Sequence, residues 1–220
     1  MLSKKSIPNI VSFVRLLGIP GLLFFLISGP NENRFICAGL FLLLAATDLL
    51  DGFLARKLDA ESDIGAMLDP LIDKLLILSP LIVLVGVRSS ATGESWVPSW
   101  LVVLLLAREV WITGLRGFAA TKGISIPAGE VGKVKTFFQV VAVFFLLLHN
   151  EQLLLLGDEW ITAQYVGLQS LLTAILLAYW SGVEYTVAFL RRNALDQERV
   201  HNDSVSTQPK RRSHRLNRRA

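Results

Sequence analysis

The chain predicts an all-α integral membrane protein, a bundle of six transmembrane helices, and three observations carry that expectation. Of its 220 residues 52% are apolar and 18% charged, and the mean hydropathy is +0.51, which lies outside the range of soluble domains. The apolar residues gather into six runs, each long enough as a helix to cross a hydrocarbon core, which takes roughly 20 residues. The five breaks between them all carry polar or turn-forming residues.

The first run, 8–28, follows Lys4 and Lys5 and has the charge and apolar content of a signal peptide. No small-residue cleavage site follows it and Arg15 interrupts it, so it reads as a retained first helix. The second run, 34–55, begins after SGPNEN (28–33) and stops at RKLDAESD (56–63). The third, 65–87, stops at RSSATGES (88–95), and the fourth, 97–119, at TKGISIPAGE (121–130). The fifth, 132–149, is separated by NEQLLLLGDE (150–159) from the sixth, 161–190. No tandem repeat and no second globular domain is visible.

Charge sets the orientation. With Lys4 and Lys5 in the cytoplasm, that side also collects Arg56, Lys57, Lys74, Arg108, Arg116, Lys122, Lys133, Lys135, Arg191 and Arg192, leaving Arg34 and Arg88 on the other. Cytoplasmic loops carry the excess of Lys and Arg, so both termini are expected in the cytoplasm. Trp96, Trp100 and Trp160 then fall at the opposite interface. No Arg/Ser-rich transit region is present, which points to the inner (plasma) membrane of a bacterium and a multi-pass protein.

The formal charge of +4 hides an asymmetry: residues 191–220 hold 9 Lys/Arg against 3 Asp/Glu, and the rest 13 against 15. The expected division is therefore a membrane domain, 1–192, and a basic, disordered cytoplasmic tail, 193–220, solvated near anionic headgroups. No aromatic residues interleave the tail's charges for base stacking, so nucleic acid is not an expected partner. The single Cys37 excludes an internal disulfide and a thiolate metal cluster.

The informative chemistry lies at the end of the second run and the start of the third. Asp48 and Asp51 are three apart, about 60° around a helix, and Asp69 and Asp73 are four apart, about 40°. Gly65 lies one turn before Asp69 on the same stripe. The short connection makes the two helices antiparallel neighbours, so the two acid pairs reach similar depth. A carboxylate at membrane depth costs about 2.5 to 3.5 kcal/mol, and four together also repel. Salt bridges to Arg56 and Lys74, proton uptake or divalent cations could compensate. Two basic side chains do not neutralise four acids, and an all-oxygen set suits hard ions such as Mg2+ or Mn2+, which favours a two-metal site. Asp59, Glu61 and Asp63 are ordinary helix-end acids of a solvated turn. Gly52, Ala55 and Gly65 leave the backbone bare around the aspartates, room for a metal-bound diphosphate with Arg56 as a phosphate ligand. Glycine in membrane helices also serves plain packing.

As a pattern, Asp48-x2-Asp51-Gly52-x2-Ala55-Arg56-x8-Gly65-x3-Asp69-x3-Asp73 resembles the signature of the CDP-alcohol phosphotransferase family, with all eight fixed positions filled across 26 residues. The resemblance implies a six-helix membrane bundle, usually a homodimer, with a cytoplasm-facing polar cavity. It implies that Asp48, Asp51, Asp69 and Asp73 bind two divalent cations which hold the diphosphate of a CDP-linked lipid donor, CDP-diacylglycerol. Asp73 resembles the residue that acts as general base toward the acceptor hydroxyl. An acceptor hydroxyl would attack phosphorus directly and CMP would leave. The histidines, His149 at the far interface and His201 and His214 in the tail, offer no nucleophile near the aspartates.

A second region, AREVWITGLRGFAATKGISIPAGEVGKVKTFFQ (107–139), brings Arg108, Arg116, Lys133 and Lys135 to the same side as the aspartates. Cations with a helix start suit an acceptor that carries its own phosphate, although each alone also fits as a positive-inside residue or headgroup snorkel. With IPNIVSFVR at 7–15, the region resembles the branch of the family whose acceptor is sn-glycerol 3-phosphate; the similarity covers roughly 7–190, and Ser12 stands where Thr is common. By that resemblance Asn9 and Arg15 lie on the donor side, and Arg108, Arg116, Lys133, Lys135 and Thr136 surround the acceptor phosphate. Phosphatidylglycerol and inositol phosphate also carry phosphate and remain alternative acceptors. A small cation transporter would use intramembrane acids too, but it needs polar residues continuing to the far side, and the third and fifth runs turn apolar there.

Overall fold

A computed structural model describes residues 6–58, 63–88, 93–124, 131–149, 151–156 and 159–206; side chains at 6–13, 48–67, 69, 131, 154–160 and 196–206 lie outside that description. Among the described residues the chain is mostly helical: α1 Ser6–Ser28, α2 Arg34–Leu58, α3 Asp63–Gly86, α4 Ser99–Thr121, α5 Val131–Leu148 and α6 Ala163–Ser206. A two-stranded antiparallel hairpin, β1 Gln152–Leu156 and β2 Glu159–Thr162, separates α5 from α6. Each of the six apolar runs thus has its helix.

The helices stop where local chemistry requires it. Gly123, at φ +67°, ends α4: its N–H donates to the Ala120 carbonyl and that of Ile124 to the Ala119 carbonyl, both at 3.0 Å. This paired bonding past a left-handed glycine is the Schellman arrangement, and Ile124 packs beside Ala119 and Phe189 to complete it. At the end of α5 the stop falls on His149, at φ +22°.

Two segments differ from the expected course. The stretch taken as a polar break, 150–159, is largely strand, pairing Leu156 with Glu159 and Leu155 with Trp160. Gly-Asp between two apolar or β-forming runs is a two-residue hairpin signal, and the four leucines beside it extend the ladder. The last helix passes residue 192, the boundary set from composition, and continues to Ser206. No Gly or Pro occurs between Gly182 and Pro209, and ALDQER is rich in helix formers.

Most of the interior is one apolar cluster that draws on every helix, with Leu22, Phe41, Leu81, Leu105, Leu146 and Leu171 fully buried, and the smaller group around Ala119, Ile124 and Phe189 lies apart from it. α5 packs most closely on α6, and Gly167 permits it, since a Cβ there would lie 2.9 Å from the Leu146 backbone nitrogen. The outer faces are apolar as well: Leu17, Phe24, Leu43, Val103, Phe137 and Trp180 are among the exposed large side chains. One helix, Ala163–Leu195, is long and apolar enough to cross a membrane among the described residues, with shorter apolar stretches at Val14–Ser28 and Arg34–Thr47. Arg15, Arg108, Lys135 and Gln139 are buried inside, the reverse of a water-soluble distribution.

Candidate active site

The aspartate pattern occupies the end of α2 and the first half of α3. Asp48, Asp51, Gly52, Ala55 and Arg56 stand on the helical backbone of α2, Gly65 and Asp69 on that of α3, and Asn9 on that of α1. The side chains of these residues lie outside the described set. Four residues, 59–62, separate the two helices, and α2 and α3 are in contact, so one helix delivers its acids as it ends and the next as it begins.

Asp73 is the member of the quartet whose side chain is described. Its carboxylate is 49% exposed, and Oδ1 accepts from Nη1 of Arg15 at 3.1 Å. Arg15 reaches it from α1 and is itself 1% exposed. The pair joins a residue of the aspartate pattern to one assigned by resemblance to the donor side. Lys74, weighed with Arg56 as a counter-ion for the acids, donates among the described residues to the Thr113 hydroxyl of α4. The cation beside Asp73 comes instead from α1, 58 residues away in sequence. The donor chemistry of the pattern, carboxylate oxygens without His or Cys, fits hard divalent cations, and Asp73 is open enough to reach a ligand.

The cationic residues divide into two kinds. Arg108 and Lys135 are buried and meet at Glu109, whose Oε1 accepts from Lys135 Nζ at 2.5 Å and from Arg108 Nη1 at 3.1 Å. Arg108 also ties α4 to α6, donating from Nε to the Ala178 carbonyl at 2.8 Å and from Nη2 to the Ser181 hydroxyl at 2.7 Å. Arg116, Lys133 and Thr136 are exposed. Arg116 lies over the Tyr185 ring, 5.4 Å from its centre, and the Thr136 hydroxyl donates to the Gly132 carbonyl of its own helix.

Glu109, Thr113 and Ser181 were not singled out from sequence. The sequence does carry a signal for Glu109, an acid in a largely apolar helix next to an arginine. One relay of contacts now connects the two candidate regions. Asp73 and Lys74 are consecutive on α3, Lys74 reaches Thr113, and the Thr113 hydroxyl donates to the Glu109 carbonyl one turn back, at 2.7 Å.

The family model described as CDP-alcohol phosphatidyltransferase matches residues 5–180, which include the aspartate pattern and the Arg108–Glu109–Lys135 group. The CDP-diacylglycerol–glycerol-3-phosphate 3-phosphatidyltransferase of Bacillus subtilis (strain 168) is 38% identical over 146 residues, 66% of this chain and 69% of that protein. The protein of the same name in Rickettsia bellii is 35% identical over 182 residues, 82% of this chain and 93% of its own length. A probable phosphatidylglycerophosphate synthase of Mycobacterium tuberculosis (strain H37Rv) is 35% identical over 189 residues, 84% and 82% of the two chains. With four-fifths of its length inside the match, this chain belongs to the CDP-alcohol phosphatidyltransferase family.

Proposed function

We propose that this protein transfers the phosphatidyl group of CDP-diacylglycerol to sn-glycerol 3-phosphate, forming phosphatidylglycerophosphate and CMP in phospholipid biosynthesis. The observation that carries the reading is the relay from Asp73 and Lys74 through Thr113 to the Glu109–Arg108–Lys135 group. It links the turn of α3 that carries Asp73 to the turn of α4 that carries Glu109, which supports a carboxylate for proton abstraction and cations for a phosphate serving one acceptor that has both a hydroxyl and a phosphate.

In this reading the acceptor hydroxyl attacks the phosphorus bonded to diacylglycerol, the P–O bond to CMP breaks, and Asp73 takes the hydroxyl proton. Arg15 orients the Asp73 carboxylate through the bond to Oδ1. Asn9, Arg15, Gly52, Ala55, Arg56 and Gly65 border the donor, and Arg108, Arg116, Lys133, Lys135 and Thr136 the acceptor phosphate. Asp48, Asp51, Asp69 and Asp73 would hold two divalent cations, Mg2+ or Mn2+, which supply positive charge to the diphosphate and the leaving oxygen. No enzyme nucleophile enters, since the acceptor supplies its own.

The apolar outer faces and buried cations support a membrane bundle in which all six helices cross the bilayer, the polar cavity faces the cytoplasm and both termini lie there. The setting is the bacterial inner membrane, the working unit a homodimer. Residues 1–192 form the membrane domain, and 193–220 a basic cytoplasmic segment whose first part prolongs α6.

The test is an acceptor panel. Purified protein with labelled CDP-diacylglycerol is offered glycerol 3-phosphate, serine, inositol, inositol phosphate and phosphatidylglycerol, and labelled product is resolved by chromatography. Turnover confined to glycerol 3-phosphate is expected; turnover with another acceptor in its place overturns the assignment.

A further inference from the structure

Glu109 joins the most charge among the described side chains, and the aspartate chemistry does not use it. It sits mid-way along α4 with its side chain 12% exposed, and a single oxygen, Oε1, receives both Lys135 and Arg108. Those cations arrive from different helices and are themselves 11% and 8% exposed. Arg108 is held on its other edges by Ala178 and Ser181 of α6. Lys135 is not: among the described residues its ammonium donates to Glu109 alone, which leaves two of its three N–H groups for something else.

The charge of the group then suits an anionic ligand. One carboxylate offsets one of two buried cations, and the remaining excess is enlarged by Arg116, which repels both, and by Lys74, whose field reaches Glu109. Without Glu109 the ammonium and the guanidinium would repel each other and separate. With it they are gathered at one point, and the group is still net positive.

We propose that Glu109 is a positioning residue for the acceptor: it holds Lys135 beside Arg108 so that the two meet the acceptor's phosphate as one preformed cationic group. The inference deepens the proposed function and rests on it. Preorganisation of this kind lowers the cost of binding the phosphate, so its loss falls on acceptor affinity, whereas a merely structural ion pair would weaken folding and turnover without favouring one substrate.

The experiment compares full-length wild type, Glu109→Gln and Glu109→Asp in mixed micelles with CDP-diacylglycerol, measuring kcat, KM for each substrate and melting temperature. Glu109→Gln is expected to raise the KM for glycerol 3-phosphate about tenfold or more, with the donor KM and kcat changed much less. Glu109→Asp, which keeps the charge, is expected to recover part of that loss. If Glu109→Gln does not fold, Glu109→Asp carries the test, with a selective rise in acceptor KM expected from the shorter reach. An acceptor KM that is unchanged, or that falls as it would if Glu109 competed with the phosphate, overturns the inference, whatever the melting temperature does. Wild type that turns over only acceptors lacking phosphate overturns the proposed function along with it; wild type that uses glycerol 3-phosphate beside a variant of unchanged KM overturns the inference alone.

Discussion

Arg15 of α1 and Asp73 of α3 meet at 3.1 Å, a guanidinium 1% exposed against a carboxylate 49% exposed. The asymmetry indicates the direction of control. Arg15 is fixed by the packing around it, while Asp73, half in the open, is aimed by the residue beneath it. With Asp73 as the base of the proposed reaction, a buried partner contributes to it by orientation more than by stability.

Replacing Arg15 by Met keeps the bulk and removes the donor. Asp73 is open enough to be rehydrated, so the cost to stability is expected to be only about 1 kcal/mol, less than for a fully buried charged bond. CMP release at saturating substrates is expected to fall about tenfold or more, because the carboxylate is no longer aimed. Wild-type turnover in Arg15→Met would remove the orienting role.

The aspartate pattern makes a sharper prediction. Asp69→Asn keeps shape and loses charge, and is expected to cut CMP release from CDP-diacylglycerol by at least about 100-fold at saturating Mg2+, since changes merely around metal ligands already cost 10- to 100-fold. The melting temperature without metal is expected to hold or rise, because like charges repel in the empty site. Normal turnover would refute Asp69 as a metal ligand.

The legibility of this chain follows the range of the interactions. Helix positions were readable because apolar runs and their breaks are local, and Gly123 sits where a left-handed stop was needed. The aspartate pattern was readable because all eight positions lie within 26 residues. What was not readable is long-range: the partner of Asp73 is 58 residues away, and Arg108 is anchored 70 and 73 residues on, at Ala178 and Ser181. Two stretches show local chemistry that polarity and charge alone do not display: the leucines inside the break at 150–159 belong to a paired strand, and α6 continues past residue 192 because the first residues of the basic segment favour helix.

The close approach of α5 and α6 predicts intolerance at Gly167. A Cβ there would lie 2.7 Å from Leu146 Cγ and 2.9 Å from the Leu146 backbone nitrogen. The side chain could turn aside; the backbone could not without parting the helices. Gly167→Ala is expected to cost about 1–3 kcal/mol through overpacking, seen as a lower melting temperature in detergent. An equal or higher value would show that the two helices have slack.

The far end of the bundle makes a prediction in pH. His149, the first residue past α5, is fully buried and stacks on Trp96 with 26° between the rings. Its Nδ1 lies 3.1 Å from the Leu147 carbonyl oxygen and its Nε2 3.1 Å from the Asn31 side-chain oxygen. Burial, with a smaller contribution from the charge of Arg34, lowers its pKa from 6.5 to about 4, against the opposing pull of the Leu147 carbonyl and Glu151. As pH falls through 6.5 the unfolded chain takes up a proton that the folded chain refuses until about pH 4. Stability is therefore intact above pH 6.5 and declines between there and 4, by roughly 3 kcal/mol for one such group. His149→Phe keeps an aromatic ring against Trp96 and cannot titrate. Its melting temperature is expected to start lower at pH 7, for want of the one hydrogen bond that a neutral imidazole donates, and to fall less than that of wild type as the medium is acidified. The difference between the two curves isolates His149 from the other titrating groups, and parallel curves would place the acid sensitivity elsewhere.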